Sequence, residues 1–270
     1  MKVVLFCGGL GTRMREYSEA IPKPMVPIGS QPILWHIMQY YSYYGHRDFV
    51  LCLGYKAGVI KDYFLNYQKT VAADCVVSNF GSKVEILGDG PPDWRVTLID
   101  TGIWRNIGGR LMAVKRYVES DEIFLANYSD GLTDAPLPEM IELFRKSGKL
   151  GCFMAVRPSF SFHLAEFDQD NVKRFRSSQQ MDLWINGGFF IFRSEIFDFM
   201  REGEELVVEP FDRLIEKDML MAYKHEGFWR PMDTLRDRQV LEEMAERGDI
   251  PWRPTADAPP GDLTSLRVAR

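Results

Sequence analysis

The start of the chain constrains the fold most strongly, because an apolar strand leads directly into a glycine-rich loop. The stretch Val3 to Cys7 is short, apolar and β-branched without helical periodicity, which predicts a buried central strand. Gly8, Gly9 and Gly11 follow within four residues. Glycines at this density let backbone N–H groups approach an anion closely. The sequence therefore predicts a phosphate-binding loop at the end of a strand.

Cations follow these glycines at once. Thr12 and Arg13 supply a hydroxyl and a planar charged group, and Lys23 lies between two prolines. The spacing does not match a P-loop, and Met14 stands where the dinucleotide fingerprint needs its third glycine. The alternative is a plain glycine turn beside two incidental surface cations.

Composition limits the possible partners. The chain has 270 residues, a net charge of −5 and a pI of about 5.5, so neither nucleic acid nor an anionic membrane is an expected partner.

Four scattered cysteines, without a CxxC pair or zinc spacing, predict free thiols rather than disulfides: Cys7, Cys52, Cys75 and Cys152. Because the N-terminus runs straight into a strand, we expect no signal peptide and a cytoplasmic protein.

The first half of the chain alternates strands and helices. A helix is predicted from Gln31-Pro32 to Gly45, a strand at Asp48 to Leu53, a helix at Lys56 to Tyr67 and a strand at Glu122 to Asn127. Such βα units form parallel sheets with right-handed crossovers, and their ligands bind at the carboxyl ends of the strands. We read His36 as a packed helix residue.

The predicted fold class is α/β: a Rossmann-like, mostly parallel sheet flanked by helices, with small antiparallel insertions and a C-terminal helical segment. Residues 74–100 contain CVVSN, KVEIL and RVTLID, which we expect to form one antiparallel insertion. After residue 151, GCFMAVR, HLAEFD and NVKRFRS are expected to extend the sheet. Helices are expected at about 194–201, 208–217 and 235–247. Residues 254–270 are expected to form a flexible tail.

Four further motifs are expected near the same sheet edge. Each has a structural alternative: a bare helix start for Gly108-Gly109-Arg110, a turn for Asp130-Gly131, a β-bulge for Asn186-Gly187-Gly188 and a helix cap for Asp233-Thr234. The functional readings are close approach of a ligand to the glycines and Mg²⁺ binding by the two aspartates.

The compound pattern resembles the sugar-phosphate nucleotidyltransferases, and within them the glucose-1-phosphate cytidylyltransferase branch. The matching motifs are GGLGTR, PKPM, DTG, GGR, NGGFF and FWRPMDTLRD. The resemblance implies CTP, a phosphorylated acceptor and Mg²⁺. It implies three groups of site residues: catalytic Arg13, Lys23, Asp130 and Asp233, the two aspartates also being metal ligands; nucleotide-binding Gly8, Gly9, Gly11, Thr12, Gly108, Gly109 and Arg110; and acceptor-binding Tyr128, Asn186, Gly187, Gly188 and Arg176.

The acceptor side departs from the family pattern. Where the family has Glu-Lys-Pro, this chain has Phe175-Arg176-Ser177, without the lysine that meets the sugar phosphate. Arg176 or Arg174 is the candidate replacement, although Arg and Lys differ in reach and geometry. Glucose 1-phosphate is the first choice of acceptor, and another sugar phosphate or a small polyol phosphate the second. The choice of CTP over UTP or dTTP rests on the resemblance.

The resemblance also implies one nucleotidyltransferase domain over residues 1–253. Its nucleotide part is expected at about 1–150 and its acceptor part at about 151–233. The aromatic run Trp35 to Tyr44 and the C-terminal helix predict a homo-oligomer. Two other classes stay open at this point: a hydride-transferring Rossmann enzyme and a non-catalytic nucleotide sensor.

Overall fold

The computed structural model describes residues 1–9, 21–66, 75–79, 83–86, 92–158, 163–177 and 182–254. The strands, in chain order, are β1 (Lys2–Phe6), β2 (Pro27–Ile28), β3 (Gln31–Pro32), β4 (Asp48–Leu53), β5 (Cys75–Ser78), β6 (Lys83–Ile86), β7 (Arg95–Asp100), β8 (Ile123–Asn127), β9 (Gly131–Thr133), β10 (Gly151–Val156), β11 (His163–Asp168), β12 (Asn171–Ser177), β13 (Ile185–Arg193), β14 (Leu220–His225) and β15 (Trp229–Pro231).

The helices are α1 (Ile33–Tyr43), α2 (Ala57–Leu65), α3 (Ile107–Val118), α4 (Leu137–Ser147), α5 (Glu209–Glu216) and α6 (Leu235–Glu246). Two segments, Lys23–Met25 and Ser194–Phe199, are 3₁₀ helices. None of the described helices is long and apolar enough to cross a membrane.

A seven-stranded sheet forms the centre, in the order β14-β10-β13-β8-β1-β4-β7. β1, β4, β7 and β8 are mutually parallel, β13 runs against β8 and β10, and β14 is parallel to β10. The prediction of a mostly parallel α/β sheet with small antiparallel additions is therefore confirmed. Strand β1 is an interior strand between β8 and β4, so Gly8 and Gly9, which follow it, lie at the carboxyl edge of the parallel strands.

Strand β1 is central because both of its faces are apolar. Val3 and Leu5 pack into the core on one side of the sheet, and Val4 and Phe6 into the core on the other. Since side chains alternate between the faces of a strand, a strand buried on both sides needs such a continuous apolar run. Val3, Val4 and Leu5 have no exposed surface.

The predicted insertion over residues 74–100 is partly wrong. β5 and β6 do form an antiparallel hairpin, but β7 is the edge strand of the main sheet and pairs with β4 in parallel. The alternating pattern of β7 reflects its edge position, where its residues are only partly buried. Similarly, β10 belongs to the main sheet, whereas β11 and β12 form a separate hairpin.

Helix α4 was not predicted, although its sequence carried the signals. Leu137, Met140, Ile141 and Phe144 are buried on one face, at helical spacing. The helix begins next to prolines and ends at Gly148, whose φ is +67°.

The prediction that His36 is a packed helix residue is confirmed. Its Nε2 lies 3.0 Å from the Ile28 carbonyl, and its Nδ1 accepts from the Trp252 indole at 3.3 Å. Burial lowers the pKa of His36, so the ring is neutral and joins α1 to the C-terminal segment. Cys7, Cys52 and Cys152 are buried free thiols, as predicted.

Candidate active site

The ammonium group of Lys23 joins two carboxylates that are far apart in sequence. Lys23 Nζ donates to Asp130 Oδ2 at 2.8 Å and to Asp233 Oδ1 at 2.7 Å. Since these contacts share one nitrogen, the two oxygens lie within about 5.5 Å of each other. The lysine side chain is 14% exposed and the carboxylates are about one-third exposed. The three predicted catalytic residues that the structure describes therefore meet in one place.

Strand pairing brings the two aspartates together. β9 directly follows Asp130, β15 ends just before Met232, and the two strands pair in antiparallel register with Gly131 opposite Pro231. The Met232 N–H then donates to the Asp130 carbonyl at 2.7 Å. The residue after Met232 is Asp233, so the ladder places both carboxylates beside Lys23.

Thr234, rather than Asp233, caps helix α6. The Thr234 hydroxyl accepts from the Asp237 N–H at 3.2 Å, and the Asp237 carboxylate accepts from the Thr234 N–H at 2.9 Å, forming a capping box. The sequence alone could not decide whether Asp233 or Thr234 caps the helix. The Asp233 carboxylate is directed to Lys23 instead.

The charges at this site are unevenly matched. Burial lowers the pKa of Lys23, but Asp130 and Asp233 together outweigh it, so the pKa is raised above its ordinary value. One ammonium thus faces two carboxylates. Two such oxygens fit Mg²⁺, which takes one or two carboxylates together with water and phosphate oxygens. Within the described part of the chain, no cluster of three or more His, Cys, Asp or Glu side chains offers a fuller ligand set.

A cavity of about 230 Å³ opens beside the Lys23–Asp130 pair at the carboxyl edge of β1 and β8. Its lining combines apolar walls with a few polar residues: Phe6, Gly9, Lys23, Pro24, Ile107, Tyr128, Ser129 and Asp130. A concave, largely apolar space with a few convergent polar groups is the usual form of a small-molecule site.

Arg110 supports the glycine loop from the protein interior. Its guanidinium donates to the Gly8 carbonyl at 2.9 Å, the Leu53 carbonyl at 3.2 Å, the Thr101 hydroxyl at 2.8 Å and the Ile103 carbonyl at 3.1 Å. A Cβ on Gly8 would lie 1.9 Å from this group. The side chain of Arg110 thus explains why residue 8 is glycine.

Tyr128 and Asn186, both predicted to bind the acceptor, lie together next to the cavity. Asn186 Nδ2 donates to the Tyr128 hydroxyl at 3.1 Å, and Asn186 Oδ1 accepts from the Gly188 N–H at 2.9 Å. Gly188 has φ +78°, and a Cβ there would approach the Tyr128 ring to 2.8 Å. The carbonyl of Gly187 accepts from the Trp229 indole at 2.9 Å. This backbone therefore holds Tyr128 at the cavity wall.

The remaining residues predicted to bind the nucleotide or to act on it are not described or contact other parts of the protein. Gly11, Thr12 and Arg13 lie outside the described residues. Gly108 is pressed against the loop before α5, since a Cβ there would lie 2.2 Å from the Glu204 carbonyl oxygen. Gly109 donates its N–H to Asn106, the N-cap of α3.

Arg176, the candidate replacement for the family lysine, lies on the β11–β12 hairpin. Its guanidinium contacts Glu166 at 3.3 Å across the hairpin. Among the contacts of the described residues, none joins Arg176 to Tyr128 or Asn186. The structure does not bring Arg176 together with the other predicted acceptor residues.

Ser129 was missed by the sequence analysis. It is fully buried, lines the cavity and has φ +65°, a left-handed conformation that is uncommon for a non-glycine residue. Its N–H donates to Asn127 Oδ1 at 2.7 Å, and its hydroxyl lies 3.4 Å from the Cys7 sulfur. The Asn-Tyr-Ser-Asp-Gly run after β8 was the available signal, since Asn side chains accept from the N–H two residues on.

A model of the nucleotidyl transferase family matches residues 2–237, which include Lys23, Asp130 and Asp233, the cavity residues and the glycine loop. The chain belongs to this family. It is therefore an enzyme of the nucleotidyltransferase type.

A curated relative supports the same placement, and solved structures share the fold. The chain is 40% identical to a glucose-1-phosphate cytidylyltransferase from Salmonella typhi over 255 residues, covering 94% of this chain and 99% of that protein. A UDP-glucose pyrophosphorylase in complex with UDP-glucose superposes with a TM-score of 0.65 at 15% identity, over 92% of this chain and 98% of the other. The inositol-1-phosphate CTP transferase of T. maritima gives a TM-score of 0.61 at 13% identity, over 91% and 95%. At these identities the two structures show the shared fold.

Proposed function

We propose that the chain transfers a cytidylyl group from CTP to a sugar 1-phosphate, with glucose 1-phosphate as the first acceptor to test. The observation that carries this proposal is the joining of Asp130 and Asp233 by Lys23 at the wall of the cavity. The family membership and the 40% identity to a glucose-1-phosphate cytidylyltransferase support it.

The chemistry needs no protein nucleophile. An oxygen of the acceptor phosphate attacks the α-phosphorus of CTP in line, a new P–O bond forms, and the bond to the departing pyrophosphate breaks. Catalysis then consists of positioning and charge neutralisation. Lys23 stabilises charge at the α-phosphate, and Arg13 stabilises the leaving pyrophosphate. The two carboxylates hold the Lys23 ammonium at the wall of the cavity in which we place the reaction.

We assign Mg²⁺ to Asp130 and Asp233. When bound, the ion neutralises phosphate charge and orients the substrate oxygens. The two carboxylates carry more negative charge than Lys23 offsets, so this pair retains an attraction for a divalent cation. Gly8, Gly9, Gly11 and Thr12 are proposed to bind the nucleotide, and Arg110, which positions Gly8, contributes by shaping that loop.

On the acceptor side we assign Tyr128 and Asn186, which present a paired hydroxyl and amide, with Gly187 and Gly188 allowing close approach. The nucleotide part is proposed at about residues 1–150 and the acceptor part at about 151–233. A cytoplasmic location fits nucleotide-sugar synthesis from a soluble nucleotide.

A nucleotide panel tests the proposed reaction. The enzyme is incubated with glucose 1-phosphate, Mg²⁺ and CTP, UTP or dTTP, with pyrophosphate release and mass detection of the sugar nucleotide as readouts. We expect CDP-hexose and faster turnover with CTP than with the other two. Faster turnover of UTP or dTTP would contradict the base assignment, and no sugar nucleotide with any combination would contradict the reaction.

A further inference from the structure

A cationic cluster outside the cavity surrounds Trp184, just before β13. The guanidinium carbon of Arg157 lies 4.2 Å from the centre of the Trp184 ring, and the ammonium of Lys224 lies 4.9 Å from it. Both distances are within cation–π range. We call these three residues the Trp184 cluster. It places two positive charges on one indole at the surface of the protein.

A hydrogen bond and an ion pair to Asp182 fix the geometry of the Trp184 cluster. Asp182 Oδ1 accepts from the Trp184 indole N–H at 2.9 Å and pairs with Arg157 at 2.8 Å. One carboxylate therefore fixes both the ring and one of the cations. Asp182 also interacts electrostatically with Lys224, so one carboxylate faces the two cations of the cluster.

Strand register places the Trp184 cluster at the acceptor end of the site. Ala155 of β10 pairs with Asn186 on one side and with Lys224 on the other. Side chains directly opposite each other in neighbouring strands lie on the same face of a sheet. Asn186 and Lys224 thus share the face on which Tyr128 contacts Asn186. Arg157 follows Val156, which pairs with Ile185, at the same edge.

The distance from the reaction centre decides which part of an acceptor these cations meet. β10 and β14 are two and three strands away from β8, which leads to Asp130. At about 4.8 Å per strand, their backbones lie about 10 Å and about 14 Å from that of β8. A phosphate held by Lys23 and the aspartates is too far away for Lys224 to share it. A group at the other end of a hexose is closer to the cluster.

We propose that the Trp184 cluster is a second anion site, which selects a hexose 1-phosphate bearing a further carboxylate or phosphate at the end remote from its reacting phosphate. This proposal rests on the cytidylyltransferase function proposed above. Arg157 and Lys224 are binding residues in this account and take no part in the chemical step.

The test compares three acceptors with CTP and Mg²⁺: glucose 1-phosphate, glucose 1,6-bisphosphate and glucuronic acid 1-phosphate. We expect kcat/KM for at least one doubly anionic acceptor to exceed that for glucose 1-phosphate by about tenfold or more. The bisphosphate and the uronate distinguish a phosphate from a carboxylate as the second group. Equal or better use of glucose 1-phosphate would overturn the proposal while leaving the cytidylyltransferase function intact. No CDP product from any acceptor would overturn both.

Charge-removing variants locate the effect. Arg157→Gln and Lys224→Gln, alone and together, should abolish the preference for the doubly anionic acceptor by raising its KM, with kcat and the values for glucose 1-phosphate unchanged. Lys217→Gln is the matched control, because Lys217 also lies over an aromatic ring, Phe199 at 5.2 Å, but precedes the opposite end of β14. A preference that survives in the double variant, with an unchanged melting temperature, would contradict the assignment.

Discussion

At the scale of single residues, the glycine loop is shaped by an arginine behind it. The guanidinium of Arg110 occupies the space that a Cβ on Gly8 would need, and it also donates to the Gly8 carbonyl. The sequence pattern predicted a loop that approaches phosphate. It could not reveal that residue 8 must be glycine for an internal reason, because Arg110 is 102 positions away in the chain.

Gly8→Ala should therefore destabilise the protein. The added methyl displaces a buried, multiply bonded guanidinium, and overpacking of this kind costs about 1–3 kcal/mol. Gly9→Ala is the matched control, since a Cβ there meets nothing within 4 Å among the described residues. Urea denaturation of the two variants checks this. Equal free energies of unfolding for both would show that Arg110 can move aside without loss.

At the scale of elements, the β9–β15 ladder and the start of α6 position the carboxylates of Asp130 and Asp233. Asp233 lies between a strand that pairs next to Asp130 and a helix capped by Thr234 and Asp237. The cap fixes where α6 begins, and the ladder fixes where β15 ends. Together they leave Asp233 little freedom in direction.

Removing this cap should lower stability before it affects chemistry. We expect Thr234→Ala to reduce the free energy of unfolding by about 0.5–2 kcal/mol, because an N–H at the start of α6 loses its acceptor. Thermal unfolding measures the effect, and Thr234→Ser, which keeps the hydroxyl, serves as control. An unchanged melting temperature in Thr234→Ala would show that the capping box contributes no stability.

The central elements were predictable, whereas the pairing of distant segments was not. β1 is a continuous apolar run, and the segments after it alternate between strand and helix patterns. These local patterns were enough to predict the parallel core from the sequence. β7 was assigned to an insertion because an edge strand alternates like an antiparallel one. The position of Arg176 in the sequence matches that of the family lysine, which predicts an acceptor contact, but the hairpin register pairs Arg176 with Glu166 instead.

At the scale of the whole molecule, the prediction of a homo-oligomer cannot rest on the apolar surfaces of α1 and α6. The aromatic run of α1 is mostly buried within the chain, with Ile33, Leu34, Ile37, Met38, Tyr40 and Tyr41 in the core. Helix α6 has one buried residue, Leu241, and a largely charged surface. Large exposed apolar side chains occur instead on the β11–β12 hairpin, where Phe167 and Phe175 are 62% and 63% exposed.

We still predict a homo-oligomer, with this hairpin as a contributor to the interface. An isolated two-stranded hairpin is at best marginally stable in water, so its apolar face gains stability when covered. Light scattering on the wild type and on Phe167→Ser/Phe175→Ser checks this, and Arg174→Ser on the same hairpin is the control. We expect the double variant to have a smaller mass. A monomeric mass for the wild type would rule the prediction out.

The central prediction is that Asp233 acts in the reaction rather than in folding. The decisive measurement is Mg²⁺-dependent pyrophosphate release from CTP and an acceptor by Asp233→Asn, beside Asp237→Asn from the same strand–helix junction. We predict a loss of about 10²–10³-fold or more in turnover for Asp233→Asn with native circular dichroism, because charge stabilisation at the phosphates is removed. Asp237→Asn should keep its turnover. Near-normal turnover of a folded Asp233→Asn would contradict the proposed catalytic centre.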